Sequence, residues 1–136
     1  MKVFVTGISS GIGRTLTTKL IEAGHEVWGI ARRQEVLKNL RDELATKNLH
    51  ISSCDIGNPT EMKSVVKEMR EVNFMPDIII LNAAINLQDS KNSFDFKLYQ
   101  KSLDTNLQGA LFWVAEFIPD FVKRNSGHFV AISSTS

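Results

Sequence analysis

Five short apolar runs alternate with longer amphipathic stretches along this chain, and this alternation most restricts its fold. The runs lie at residues 3–5, 26–30, 49–52, 77–81 and 128–132. Most are continuously apolar rather than alternating, which is typical of parallel strands covered by helices on both faces. The pattern predicts an α/β fold with a doubly wound parallel sheet of about five strands.

Helix signals fill the stretches between these runs. Helical patterns are predicted at residues 11–23, 34–46 and 94–124, with a break indicated near residues 104–106. Gly24 is placed to end the first of them in a left-handed conformation. A further helix begins at NPTE, where Asn58 caps, Pro59 takes the first helical position and Glu61 closes a capping box.

The long C-terminal helix predicts a core-facing stripe. Its apolar residues repeat at helical spacing: Leu107, Leu111, Val114, Ile118 and Phe121. Phe112 and Trp113 lie off this stripe. They fit either a contact with a partner subunit or packing under a neighbouring loop. Residues 83–93 are predicted to form a polar loop.

Composition restricts the class of protein. The 136 residues suit a single domain, residues 1–136, and 16 basic against 15 acidic residues give no basic field for nucleic acid. One cysteine and three histidines offer no metal-ligand spacing, so no metal site is expected. No apolar run approaches the roughly 18 residues of a membrane helix. We expect a soluble, cytoplasmic protein.

The segment TGISSGIG at residues 6–13 directly follows the first apolar run. A strand that turns at once into a helix points unpaired N–H groups at a site suited to an anion. Gly7 allows the tight turn, Gly11 lets a pyrophosphate approach the backbone, and Gly13 lets the helix pack closely on the sheet. Ser9 and Ser10 add hydroxyl donors. No lysine follows the last glycine, which argues against a triphosphate-binding P-loop.

The chain resembles the classical short-chain dehydrogenase/reductase family over essentially its whole length. Thr6, Gly7, Gly11, Ile12 and Gly13 match every fixed position of the family's TGxxxGIG pattern. Further motifs follow in the family's order: CDI at 54–56, LNAA at 81–84, NLQG at 106–109 and HFVAISS at 128–134. The resemblance implies a Rossmann-type sheet with strand order 3-2-1-4-5.

The resemblance also implies a cofactor site. Asp55 and Ile56 would lie at the adenine, with Asp55 meeting its amino group, and the segment Asn82, Ala83 and Ala84 would line the cofactor cleft. Leu81 and Ala84 depart from the family's NNAG, and Ala84 adds a methyl group where the backbone would line the cofactor cleft.

Cofactor choice is predicted from GIARR at residues 29–33. An acidic residue after the second strand would bind the adenosine ribose hydroxyls of NAD, whereas an arginine would pair with the 2′-phosphate of NADP. Here Arg32 and Arg33 stand without an acid, and Arg14 lies just beyond the glycines. NADP is therefore predicted over NAD, although two arginines at a helix start can also be merely solvated.

The catalytic residues that the resemblance implies are incomplete. Ser134 matches the family's serine and Asn106 its asparagine, but the Tyr-x-x-x-Lys element has no match, because the only tyrosine is Tyr99 with Leu103 four residues later. We expect a truncated, inactive fragment of an enzyme acting on a small carbonyl or alcohol substrate. A measured mass above 15.2 kDa for the native gene product would support this expectation.

Two other classes of function stay open at this stage. The chain fits a non-catalytic NADP-binding module that senses redox state or binds a partner, and it fits a structural domain with a vestigial loop. Cofactor binding without turnover would favour the first alternative, and no binding of either dinucleotide the second. The family's usual interface also implies a homo-oligomer formed through the long helix at 106–124. Substrate and reaction direction are not predicted.

Overall fold

The computed structural model describes residues 1–86 and 94–133. Its elements in chain order are β1 Lys2–Thr6, α1 Gly11–Glu22, β2 Glu26–Ala31, α2 Gln34–Leu44, β3 Leu49–Ser53, α3 Pro59–Glu71, β4 Ile78–Leu81, α4 Phe96–Leu103, a π-helical segment Asp104–Gln108, α5 Gly109–Lys123 and β5 His128–Ala131. Most of the predicted loop at 83–93, from residue 87 onward, lies outside the described residues.

The five strands form one parallel sheet in the order β3-β2-β1-β4-β5, as predicted. Strand ends differ from the sequence prediction by one residue, because pairing rather than hydrophobicity sets them. Val3 of β1 lies between Val27 of β2 and Ile78 of β4, which places β1 at the centre. All carboxyl ends therefore meet at one edge of the sheet, with the order reversing beside β1.

Both faces of the sheet are covered, which explains the continuously apolar strands. Phe4 and Ile79 face a core under α3 and α5, together with Trp113 and Phe117. The alternate residues face a second core under α1 and α2, which contains Val3, Val5, Leu37, Leu40 and Ile80. Each strand thus supplies apolar side chains to two layers.

The predicted core stripe of the long helix is wrong at three of its five positions, because Leu107, Leu111 and Ile118 have 53%, 56% and 45% of their surface exposed. Phe121 is buried as predicted and Val114 is partly buried. The buried row is Gly109, Trp113, Phe117 and Phe121. Neither alternative for Trp113 holds, because it is fully buried and its ring centroid lies 4.7 Å from that of Phe4.

Close approach of the helix backbone to the sheet layer selects this buried row. A Cβ at Gly109 would lie 2.5 Å from the carbonyl oxygen of Ile56, so only glycine fits there. The aromatic side chains then follow at intervals of four residues along the same face. The helix is apolar on nearly every side, so hydropathy alone did not distinguish this row from its neighbour.

Helix ends agree with the sequence in most respects. Asn58 caps α3 by accepting hydrogen bonds from the N–H groups of Thr60 and Glu61, and Gly24 follows α1 with φ +82°. Glu61, however, does not bond the Asn58 N–H as in a standard capping box. Its Oε2 accepts from the backbone N–H of Asp55 at 2.8 Å, because the Asn58 N–H donates to the Asp55 carbonyl.

The break indicated at residues 104–106 is a π-helical segment between α4 and α5. The axis continues, but one extra residue is inserted into the turn, as in the π-bulges found at functional sites. No helix in the described part of the chain is long and apolar enough to cross a membrane.

Candidate functional site

A cavity of about 350 Å³ lies at the carboxyl edge of the sheet, where the strand order reverses. The segments that follow β1, β2, β3 and β4 form its wall, and Thr105 of the π-helical segment closes one side. Its lining includes eleven of the predicted site residues: Gly7, Ser9, Ser10, Ile12, Arg32, Arg33, Asp55, Ile56, Asn82, Ala83 and Ala84. Open α/β sheets bind their ligands at this position.

The glycine-rich turn after β1 requires its first and third glycines for reasons of space. Gly7 has φ +79°, and a Cβ there would lie 2.8 Å from the Cα of Ala83. A Cβ at Gly13 would lie 2.1 Å from the carbonyl oxygen of Gly7. Neither position tolerates a side chain, so α1 starts in close contact with the end of β1.

Gly11 differs from the other two glycines. It has φ +55°, and a Cβ there would meet no heavy atom within 4 Å. The first turn of α1 contains no acidic residue, and Ser10 at the N-cap makes no side-chain capping bond. The helix N-terminus therefore presents free N–H groups beside an open surface, which favours an anion.

Thr6 and Asn82 fasten the ends of β1 and β4 together beneath the cavity. The buried hydroxyl of Thr6 accepts hydrogen bonds from the N–H groups of Asn82 and Ala83, both at 3.0 Å. The side-chain amide of Asn82 donates to the carbonyls of Thr6 and Gly7 at 3.1 and 3.2 Å. The predicted site residues Gly7, Asn82 and Ala83 are thus held in one hydrogen-bonded unit.

Arg32 and Arg33 lie where β2 ends, and both are exposed. Among residues 1–86 and 94–133 neither guanidinium has a hydrogen-bond or ion-pair partner. Arg14 is different: its guanidinium forms an ion pair with Glu43 of α2, and it does not line the cavity. The two arginines after β2 are therefore the cationic groups available to a ligand there.

Cys54 and Asp55 end the β3 segment of the wall. Burial raises the pKa of the Cys54 thiol to about 12, and the nearby carboxylates of Glu61, Asp55 and Glu68 add to this effect. The thiol is 1% exposed. A thiol with so high a pKa is a packing group rather than a nucleophile.

Asn106 lies in the π-helical segment and bonds the chain that follows β4. Its Oδ1 accepts from the N–H of Ile85 at 2.7 Å, and its Nδ2 donates to the Ile85 carbonyl at 2.9 Å and to the Ser102 hydroxyl at 3.2 Å. Asn106 is therefore linked to the cavity wall through Ile85 without lining the cavity itself. The other predicted catalytic residue, Ser134, lies outside the described residues.

Sequence reasoning missed several contributors to this site, including Thr105, Ile85 and Thr6. Thr105 and Ile85 line the cavity, and the Thr6 hydroxyl fastens its floor. Only Thr6 carried a signal, as a fixed position of the glycine motif. Among the residues that the structure describes, no group of three or more histidine, cysteine, aspartate or glutamate side chains could hold a metal ion.

Comparison with known proteins agrees with this architecture. The sequence model of the family described as short chain dehydrogenase matches residues 1–136. The chain belongs to the short-chain dehydrogenase family. The family's motifs occupy the cavity edge described above, with the glycine-rich turn, the residues after β2 and the residues after β4 on its wall.

Two similar curated proteins are enzymes whose names specify NADP or NADPH. The chain is 32% identical over 137 residues to the NADP-dependent 3-hydroxy acid dehydrogenase YdfG of Escherichia coli strain K12, covering 100% of this chain and 55% of that protein. It is 34% identical over 137 residues to the NADPH-dependent pterin aldehyde reductase of Arabidopsis thaliana, covering 97% of this chain and 55% of that protein.

Solved structures show the same fold. Serine dehydrogenase from Escherichia coli has a TM-score of 0.89 and 32% identity, covering 99% of this chain and 62% of that one. The closed form of serine dehydrogenase complexed with NADP+ has a TM-score of 0.91 and 32% identity, covering 99% and 54%. The chain spans about half the length of the curated relatives it matches.

Proposed function

We propose that this chain is the NADP-binding part of an oxidoreductase that transfers hydride between NADP(H) and a carbonyl or alcohol. The observation that carries the proposal is the pair of exposed arginines after β2, which have no carboxylate partner among the described residues. Arginine pairs with a 2′-phosphate, whereas the ribose hydroxyls of NAD require an acid at this place. The NADP-dependent relatives support the same choice.

The residues of this site fit such a cofactor. Gly11 with its neighbours Ser9, Ser10 and Ile12 would receive the pyrophosphate at the start of α1. Arg32 and Arg33 would receive the 2′-phosphate, and Asp55 with Ile56 the adenine. Asn82, Ala83 and Ala84 would line the remaining cleft. When bound, the nicotinamide group supplies or accepts the hydride.

Chemistry at the substrate needs further groups from the protein. Hydride transfer to a carbonyl builds negative charge on its oxygen, so a hydrogen-bond donor and a proton donor are required there. We assign the first role to Ser134. Asn106 would support the site through its bonds to Ile85. The proton donor is the family's Tyr-x-x-x-Lys pair, which these 136 residues lack.

Tyr99 does not replace that donor. It lies on α4 with 48% of its surface exposed, and its ring stacks on Phe94 with centroids 4.6 Å apart. We therefore propose that the 136 residues alone bind NADPH without turnover. This position of Tyr99 also favours the alternative function, a non-catalytic NADP-binding module. Turnover by the full product of the native gene, with serine and other 3-hydroxy acids as first substrates, separates the two.

Calorimetric titration of the 136-residue chain with NADPH and NADH tests the cofactor. We expect NADPH to bind at least about tenfold more tightly, because an exposed charge-assisted hydrogen bond contributes on the order of 1.5 kcal/mol. Arg32→Ala and Arg33→Ala should weaken NADPH and leave NADH unchanged. Arg41→Ala, an exposed arginine on α2 away from the cavity, is the matched control. Equal affinities for both dinucleotides in the unchanged chain would refute the assignment.

A further inference from the structure

The loop that joins β3 to α3 is closed by hydrogen bonds centred on Asp55. The Asp55 carbonyl accepts from the N–H of Asn58 at 2.9 Å, and its carboxylate Oδ1 accepts from the N–H of Gly57 at 2.9 Å. Its own N–H donates to Glu61 at 2.8 Å. Within the described part of the chain, Oδ2 is the one polar atom of Asp55 left without a partner.

Glu61 connects this loop to the helix that follows it. Its Oε2 holds the N–H of Asp55, and its Oε1 accepts from the side-chain amide of Asn58 at 2.9 Å. Asn58 in turn caps α3 by accepting from the N–H groups of Thr60 and Glu61. The carboxylate therefore bridges the first turn of α3 and the residue that lines the cavity, and both of its oxygens are used.

We propose that Glu61 is a positioning residue for base recognition: it fixes the Asp55 backbone so that the free Oδ2 accepts from the 6-amino group of an adenine base. This inference rests on the proposed function, because it needs a dinucleotide in the cavity. Glu61 does not line the cavity. It acts by restricting the orientation of a neighbouring carboxylate, which loses its 6-amino donor when the base carries oxygen at position 6.

The test compares NADPH with its deaminated analogue, in which hypoxanthine replaces adenine. The two ligands have the same charge and the same 2′-phosphate, so the ratio of their dissociation constants reports recognition of the Watson–Crick edge of the base, where the 6-amino donor is lost and N1 becomes an N–H donor. We expect the unchanged chain to prefer NADPH by about tenfold, the size of one hydrogen bond to a charged acceptor. Calorimetry on the 136-residue chain gives both constants without any need for turnover.

Two variants and one control follow from the contacts. Glu61→Ala removes both bonds and should reduce the preference to about twofold or less, while Glu61→Gln retains one acceptor and should give an intermediate ratio. Glu71→Gln makes the same chemical change at the other end of α3, where Glu71 forms an ion pair with Lys67 at 3.7 Å, and should leave the ratio unchanged. A ratio of NADPH to NADH affinities close to that of the unchanged chain in all three variants would exclude a general loss of the site.

Two results overturn different claims. An unchanged base preference in Glu61→Gln, which keeps the helix cap nearly intact, overturns the positioning role even if Glu61→Ala fails to fold. Failure of the unchanged chain to bind NADPH overturns the proposed function first. If the unchanged chain binds NADPH and its deaminated analogue equally, the geometry assigned to Asp55 Oδ2 is wrong while NADP binding stands.

Discussion

Replacing Gly13 with alanine should destabilise the fold, although alanine is the better helix former. The added Cβ would lie 2.1 Å from the carbonyl oxygen of Gly7 and 2.5 Å from Nδ2 of Asn82, and Cβ atoms essentially never approach such atoms within 3.0 Å. The start of α1 or the end of β1 must therefore move by about 0.9 Å. This movement disturbs the side-chain amide of Asn82, which bonds the carbonyls of Thr6 and Gly7.

The expected magnitude follows from opposing contributions. Overpacking costs about 1–3 kcal/mol, and weakening the Asn82 bonds costs about 1 kcal/mol more. The higher helix propensity of alanine stabilises the folded state by at most about 1 kcal/mol. The net loss of about 1–3 kcal/mol corresponds to a Tm lowered by about 4–12 °C for a chain of this size.

Thermal unfolding followed by the fluorescence of the two buried tryptophans, Trp28 and Trp113, measures this change. Thr15→Ala, at an exposed position on the same helix, provides the propensity gain without a new contact and should leave Tm equal or slightly higher. A Tm for Gly13→Ala at or above that of the unchanged protein would refute the argument, because it would show that the structure accommodates the added Cβ without a loss of stability.

The remaining predictions concern a buried thiol and an exposed helix face. The pKa of Cys54 is raised from 9.0 to about 12, so the folded state holds the thiol proton more tightly than the unfolded state. This contribution to the free energy of unfolding is full below pH 9 and is lost as the pH rises toward 12. Cys54→Val should therefore make stability less dependent on pH in this range, and an equally steep dependence in the variant would contradict the assignment to Cys54. The long helix also exposes an apolar row, which consists of Leu103, Leu107, Leu111 and Ile118. If this row forms a contact between copies of the chain, Leu111→Lys should lower the molecular mass measured by sedimentation, whereas Ser64→Lys on α3 should not. A monomeric unchanged chain would contradict the proposal of a homo-oligomer.

The parallel sheet was predictable from sequence because its signals are local and agree with one another. Continuous apolar runs of three to five residues require cover on both faces. Asn58 with Pro59 begins a helix through contacts within one turn. The crowding at Gly7 and Gly13 was also predictable in kind, since a strand that turns directly into a helix leaves no room for Cβ atoms. The distances were not.

The face of α5 was not predictable, because the choice depends on a partner distant in sequence. Two neighbouring rows on this helix are apolar, and hydrophobic spacing alone favours neither. The contact between Gly109 and the carbonyl of Ile56 decides between them, and Trp113 then fills the space beside Phe4. A glycine followed at intervals of four by large aromatics was the one available signal, since close approach at a small residue directs the bulky ones of the same row inward.

The same dependence on distant partners explains which site residues sequence reasoning missed. Motif positions such as Asn82 are conspicuous because they act through their own side chains, whereas Glu61 and Thr105 matter only where the fold brings them. Glu61 has an evident local purpose as part of a helix cap, and that purpose concealed its bond to Asp55. The hydrogen bond at 2.8 Å links a helix start to a cavity wall, so a change that looks like a capping defect should alter which base the site accepts. Stability and base preference therefore have to be measured on the same variants. A residue that only caps the helix changes stability alone, whereas a positioning residue also changes the base preference.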